Sequence, residues 1–230
     1  KSVNLNSLKK TVCSGIALIK WIEENKLDAV TVNFTKFNRN TKMPTIPFLE
    51  AELLLSRGFG YAGEGDVLTS AFVGALNSVY DEVTFTEMFC PDWKENLIFL
   101  SHMGEANINL FSEKAVLIEK NLPFIDIDSP VIAFGRLKKG KVTIANLAPV
   151  KNSFCLIVCK GEMLDIEDEK NYKDSIRGWF KPDIPVMDFL YLFSKAGGTH
   201  HSALVYGGDD VAKQIMTFGE IMGWKTIEIQ

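Results

Sequence analysis

Apolar positions recur at two different periods along this chain. Over residues 8–26, Val12, Ile16, Ile19 and Ile22 return every three or four positions, the spacing of a helix with one buried face. Residues 29–34 form a short β-rich run, and a polar loop follows through 38–42. At Thr45, Ile46 and Pro47 the chain shows a helix start with proline in the first turn, and Gly58 closes that helix. GFGYAGEGD is a glycine-punctuated loop. The pattern then predicts a helix over 66–80, with Asp66 as N-cap and Leu68, Phe72, Leu76 and Val79 on one face. Helix, strand, helix, loop and helix in this order have the texture of an α/β layer entered partway.

From about residue 83 the texture changes. Residues 83–85, 97–100, 131–134, 142–147 and 154–159 read as short strands separated by turn-rich stretches, with a hairpin-like signal at Lys139-Gly140. Such a series predicts an antiparallel sheet or small barrel. After Pro185 come a helix over 186–195, the GGTHH loop, a helix over 209–222 and a final strand over 226–229. The expected architecture is an α/β layer fragment, residues 1–83, followed by an antiparallel β-barrel domain with flanking helices, residues 84–230.

Composition narrows the classes of partner. The chain has 230 residues, 47% hydrophobic, enough for a sizeable core in one large or two small domains. Its net charge of −4 comes from 25 basic and 29 acidic residues without a long run of either sign. That is no electrostatic footprint for nucleic acid, and no basic amphipathic helix points to a membrane surface. The longest apolar runs, such as 154–159, are far too short to span a bilayer, and KSVNLNSLKK lacks a signal-peptide core. Cys13, Cys90, Cys155 and Cys159 show no CxxC spacing. Cys155 and Cys159 read as buried free thiols, which fits a reducing cytoplasm. The absence of an initiator methionine and the abrupt start read as a segment of a longer chain, with removal of the methionine by processing as the alternative.

The chemistry concentrates in a few motifs. All three histidines lie in two of them, His102 in FLSHMGE and His200-His201 in AGGTHH, while Glu64 sits in AGEGD and Glu87 in TFTEMF. Two carboxylates with two imidazoles suit a divalent ion used for chemistry, such as manganese, iron, cobalt, zinc or magnesium. The lack of a nearby thiolate argues against a structural zinc site. Each residue also has a plainer reading. Glu64 can be a loop carboxylate favoured by the dipole of the following helix. Glu87 can be a solvent-facing strand residue, and His102 a hydrogen-bonded core residue. Glu105, three residues after His102, is placed to orient its ring. Adjacent side chains usually diverge, so only one of His200 and His201 is expected to bind metal, leaving the other to face substrate or solvent.

Taken together, the motifs resemble the L-arabinose isomerase family. GFGYAGEGDVLTSAFVGAL is similar to that family's metal-site segment, a G-F-(A/G)-E-G-D motif followed by a helix. TFTEMF, FLSHMGE and AGGTHH match its second glutamate motif and its two histidine motifs, in the family's order. The stretch from PVIAFGRLKKGK onward and WFKPDIP also follow that order. The resemblance covers nearly the whole chain but only about the C-terminal half of a family member. It implies the metal ligands Glu64, Glu87, His102 and His201, with His200 contacting substrate and Mn2+ or a similar ion as cofactor. It also implies a metal held between a central α/β domain and a C-terminal barrel, in trimers or hexamers whose neighbouring N-terminal domain helps to form the pocket. The chain departs from the pattern at Val67-Leu68, where the family has Trp-Lys, at Met88, where an acidic residue is expected, and in HMGE, where the family reads HMLE. Its EGDV form resembles L-fucose isomerases instead, whose ligand set has one histidine. The expectation is retained metal chemistry with an altered sugar pocket.

What the resemblance implies is an aldose–ketose isomerase, moving a proton between C1 and C2 of a small sugar. Glu64 and Glu87 are then both ligands and the acid/base candidates. The competing readings are a sugar-binding module without turnover and a metal-dependent lyase acting on a related sugar acid.

Overall fold

The computed structural model describes residues 3–166, 172 and 174–230. Helix α1 (Leu5–Asn25) starts at Asn4, whose side chain accepts from the Asn6 N–H at 2.8 Å, and ends at Lys26 in the left-handed conformation. Its buried face is Thr11, Ser14, Gly15, Leu18 and Ile22, while Val12 and Ile16 point outward. The buried stripe is therefore rotated from the one the apolar spacing suggests. Small residues win the inner face because the next helix passes close: a Cβ on Gly15 would lie 3.0 Å from Glu50 Cβ. Thr11 also has work there, its hydroxyl accepting the Val131 N–H at 2.9 Å.

Strand β1 (Ala29–Thr31), helix α2 (Phe48–Ser56), strand β2 (Gly60–Ala62) and helix α3 (Val67–Asn77) complete this layer, with β1 and β2 parallel. The expected run over 29–34 is cut short by a 3-10 turn at Phe34–Lys36. Strand β2 lies inside the stretch that reads as loop, because its glycines and wholly buried pattern carry no alternation. Gly60 permits the packing: a Cβ there would come within 2.7 Å of Ala29 Cβ and of the Ser70 carbonyl oxygen.

The remainder forms β3 (Val83–Asp92), β4 (Leu97–His102), β5 (Val116–Glu119), β6 (Val131–Phe134), β7 (Gly140–Val150), β8 (Ser153–Leu164), β9 (Ile176–Pro182), α4 (Val186–Ala196), β10 (His201–Tyr206), α5 (Asp209–Ile221) and β11 (Lys225–Ile229). Six strands close into an antiparallel barrel in the order β8-β7-β10-β3-β4-β9, with β9 pairing back onto β8. Strand β11 lies parallel to β8 outside the closure, and β5 and β6 form a separate ribbon. Leu100, Ile144, Val158, Phe180 and Leu204 on these strands are fully buried. An α/β layer followed by an antiparallel barrel with flanking helices is the architecture the sequence pattern predicts.

Three strands escape that pattern, β5, β9 and β10. Strand β9 contains Gly178 and ends at Pro182, both poor strand signals. Strand β10 starts directly after a glycine turn and is buried on both faces, so it has no polar–apolar alternation to read. Among the described residues, no helix is long and apolar enough to cross a membrane. The cysteines are free, with Cys155 and Cys159 buried as expected, and burial pushes the Cys159 thiol up to about 12.

Candidate metal centre

The glutamate and histidine motifs meet where the α/β layer abuts one end of the barrel. His201 is the first residue of β10 and stands opposite Glu87 on β3, while His102 is the last residue of β4. Glu64 sits in the loop between β2 and α3. Phe85 on β3 packs against both imidazoles, each ring meeting it edge-on at 5.0 Å between centroids. The two imidazole centroids are 6.3 Å apart.

The loop that carries Glu64 is conformationally unusual. Glu64 itself has φ of 62° and Gly65 follows at 85°. A left-handed non-glycine residue costs on the order of 1–2 kcal/mol, and such strain collects at functional sites. The Gly65 N–H anchors the turn to the Thr31 hydroxyl at 3.0 Å. Gly63 needs its missing side chain for a different reason: a Cβ there would stand 3.0 Å from His102 Cε1 and 3.2 Å from Nε2.

Each buried histidine leans on a carboxylate through Nδ1. For His201 the partner is Asp66, at 3.0 Å. Asp66 also caps α3, accepting from the Thr69 N–H at 2.9 Å and the Thr69 hydroxyl at 2.7 Å. Burial alone would raise the Asp66 carboxyl, but the hydrogen bonds to His201 and Thr69 outweigh it and bring the group down to about 2. For His102 the carboxylate is Glu105, at 2.8 Å, and Nδ1 also meets the Gly104 carbonyl oxygen at 3.2 Å. Burial works against charge on the His102 ring, yet Glu105, with Glu87 and Glu64 beyond it, raises its pKa above the ordinary value.

A carboxylate on Nδ1 fixes the tautomer and leaves Nε2 as the free electron pair. His201 Nε2 is buried and has no hydrogen-bond partner, and it lies 3.6 Å from Glu64 Oε2. A buried polar nitrogen left without a partner is costly, and a cation would relieve it. Glu64, His200 and His201 each offer a donor atom within 4.8 Å of the others. Oxygen and imidazole donors of this kind suit manganese, iron, cobalt or zinc.

The other predicted residues surround this cluster. His200 Nε2 is 3.7 Å from Glu64 Oε2 and 4.0 Å from Glu87 Oε1, and its side chain is mostly exposed. Glu87 and His102 lie outside the compact Glu64–His200–His201 group but line the same cavity of about 470 Å3, together with Glu64 and Glu105. Apart from Thr35, the rest of the lining is apolar, formed by Phe34, Phe48, Phe89, Met103, Phe124 and Ile125. The Thr199–Ser202 turn is held by the buried Asn146 of β7. Its side-chain amide donates to the Thr199 carbonyl at 3.1 Å, the Ser202 hydroxyl at 3.1 Å and the His201 carbonyl, and accepts the Thr199 N–H at 3.3 Å.

Asp66 and Asn146 do not stand out as site residues in the sequence. Asp66 already has a sufficient role there as an N-cap, and Asn146 lies 55 positions from the histidine that it supports. The cue for Asp66 is its place two residues after Glu64, in the motif itself.

A strained glutamate loop facing two carboxylate-backed imidazoles across a barrel mouth defines a class, the barrel proteins with a carboxylate–imidazole site against an α/β layer. The comparisons make it particular. The family described as L-arabinose isomerase C-terminal domain matches residues 82–225, and the one described as L-arabinose isomerase central domain matches residues 1–82. The chain belongs to the L-arabinose isomerase family. Its relatives include the L-arabinose isomerase of Aeromonas salmonicida, 24% identical over 229 residues, which covers 97% of this chain and 45% of the relative. The L-arabinose isomerase of Bacillus subtilis is 23% identical over 231 residues, again 97% of this chain and 45% of the relative. The chain thus spans a little under half the length of these relatives.

Proposed function

We propose that residues 1–230 carry the metal and acid/base half of an aldose–ketose isomerase acting on a small neutral sugar. Glu64, Glu87, His102 and His201 would hold a divalent ion such as Mn2+, with His200 toward substrate. The observation that carries this reading is His201 Nε2, buried without a partner beside Glu64 while Asp66 holds the other ring nitrogen. Bound there, the ion supplies Lewis-acid polarisation of the sugar oxygens. The chain's own groups do the rest. Isomerisation needs a base that removes a proton from one carbon and returns it to its neighbour. Glu64 and Glu87 line the same cavity and would do so, while Glu105, which also lines it, is engaged by His102 and Tyr61. Asp66 and Glu105 hold the two imidazoles in fixed orientation, and the apolar wall excludes water from the reacting carbons.

The family relationship supports several finer parts of this reading. Residues 1–83 are the C-terminal part of a central α/β domain and 84–230 a C-terminal barrel domain. Manganese, a trimeric or hexameric assembly and a cytoplasmic setting belong to the same proposal. The test is incubation of the full-length protein with a panel of aldoses and Mn2+, followed by detection of 2-ketose. Ketose that disappears in Glu64→Gln and Glu87→Gln supports the isomerase. Heat of sugar binding without any product would replace it with a binding module.

A further inference from the structure

Behind His102 lies a chain of polar groups that reaches the cavity only at Glu105, spans four elements and is not used directly by the proposed reaction. Glu105 Oε2 meets His102 Nδ1, and its other oxygen, Oε1, accepts the hydroxyl proton of Tyr61 from β2. Glu105 has φ of 71° and follows Gly104 at 123°, so its backbone is a strained turn that needs external support. That support comes from Glu52 on α2. One oxygen of its carboxyl accepts the Glu105 N–H at 3.2 Å, and the other accepts the Ala133 N–H of β6 at 3.0 Å. Tyr61, Glu52 and Glu105 are all wholly or almost wholly buried. Three acidic or phenolic groups gathered out of water are expensive unless each is paired, and here each has a partner.

We propose that Tyr61 and Glu52 are positioning residues that fix the Glu105 carboxyl and, through it, the Nδ1–H tautomer and ring orientation of His102. The proposal deepens the metal-site reading and rests on it for the role of His102 as a ligand. Each member restricts the next. Glu52 pins the turn, which also brings the Gly104 carbonyl oxygen to 3.2 Å from Nδ1; the turn and Tyr61 leave Glu105 one orientation, and Glu105 then accepts from Nδ1, leaving Nε2 as the ring's free electron pair. Tyrosine rather than phenylalanine at position 61 follows from this, since only the hydroxyl satisfies the second carboxyl oxygen. Burial and the neighbouring Glu105 hold the Tyr61 hydroxyl well above its ordinary pKa, so it remains a donor. The link also crosses from the α/β layer to the barrel, so the layer sets the geometry of a barrel ligand.

The experiment uses 15N-histidine-labelled protein, metal-free, at a pH above the His102 titration, with His102 assigned from a His102→Gln sample. Long-range 1H–15N spectra distinguish the two imidazole tautomers directly. Wild type should show His102 as a single Nδ1–H species. Tyr61→Phe, nearly isosteric, should keep the fold by circular dichroism but show a mixture containing Nε2–H. In parallel, Mn2+ titration should find affinity reduced about 10-fold in Tyr61→Phe and in Glu52→Gln, the scale expected for outer partners of a metal histidine. A lower melting temperature with an unchanged His102 tautomer and unchanged Mn2+ affinity in Tyr61→Phe would make the role purely structural and overturn the proposal. Absence of any Mn2+ binding by wild type would instead refute the metal reading, and the tautomer spectra would still decide the positioning claim.

Discussion

At the scale of single residues, the adjacent imidazoles are the sharpest contrast in the site. The His201 side chain is 4% exposed and backed by Asp66, whereas that of His200 is 55% exposed and backed by neither Asp66 nor Glu105. His201→Ala should therefore abolish tight Mn2+ binding in calorimetry. His200→Ala should leave affinity within about 10-fold of wild type, the lower limit set by loss of an outer partner, and mainly raise the Michaelis constant. If His200→Ala loses the metal while His201→Ala keeps it, the two roles must be exchanged. That exchange has a geometric motive, because His200 stands as close to Glu64 as His201 does.

Asp66 supplies a pH-dependent prediction at the same scale. Its folded pKa of about 2 lies below the ordinary 3.8, so its contribution to stability is complete above about 3.8 and is lost as pH falls through about 2. Asp66→Asn should remove that part of the acid limb, giving a flatter denaturation curve between these values. An unchanged acid limb would show that the carboxylate is not held this way. Residue type and company singled out the glutamate and histidine motifs, and the family resemblance joined them into one candidate ligand set. The supporting residues were not, because Tyr61 lies 44 positions from Glu105 and Glu52 lies 53, with nothing local to tie them.

Between elements, the close approaches carry the packing. Gly60 on β2 would place a Cβ 2.7 Å from the Ser70 carbonyl oxygen of α3 and 2.8 Å from Gly74 Cα, contacts with backbone that cannot swing away. Gly60→Ala should cost about 1–3 kcal/mol in urea unfolding, the range for overpacking a tight interface. A loss below about 0.5 kcal/mol, the usual size of a neutral surface change, would mean that α3 can slide without penalty. Helices were readable because capping and spacing are local, as with Asn4 and Asp66. The buried face of α1 was not, since it is chosen by the close passage of α2 rather than by apolar content. Strand β10 was lost for a related reason. Residues 201–205 are buried on both faces of the strand, and burial on both faces erases the alternation that marks a half-buried strand.

For the molecule as a whole, the pocket draws on both parts of the chain. Glu64 and Asp66 come from the α/β layer and His102, Glu87 and His201 from the barrel, so displacement of one part against the other would disperse the proposed ligands. Residues 1–230 account for 45% of the length of the Aeromonas salmonicida relative. On the family reading, substrate contacts also come from outside this segment, so purified residues 1–230 should by themselves yield little or no ketose from the aldose panel. Full activity in the segment would mean that the sugar pocket is built without those outside contacts. The central claim, that Glu64, Glu87, His102 and His201 form one divalent-metal site, is tested most directly by Mn2+ titration calorimetry at one fixed pH. Wild type, Glu64→Gln, Glu87→Gln and His201→Ala are compared side by side. The account predicts one site per chain in wild type and a marked loss of affinity in all three variants, whereas undiminished stoichiometry and affinity in the variants would contradict it.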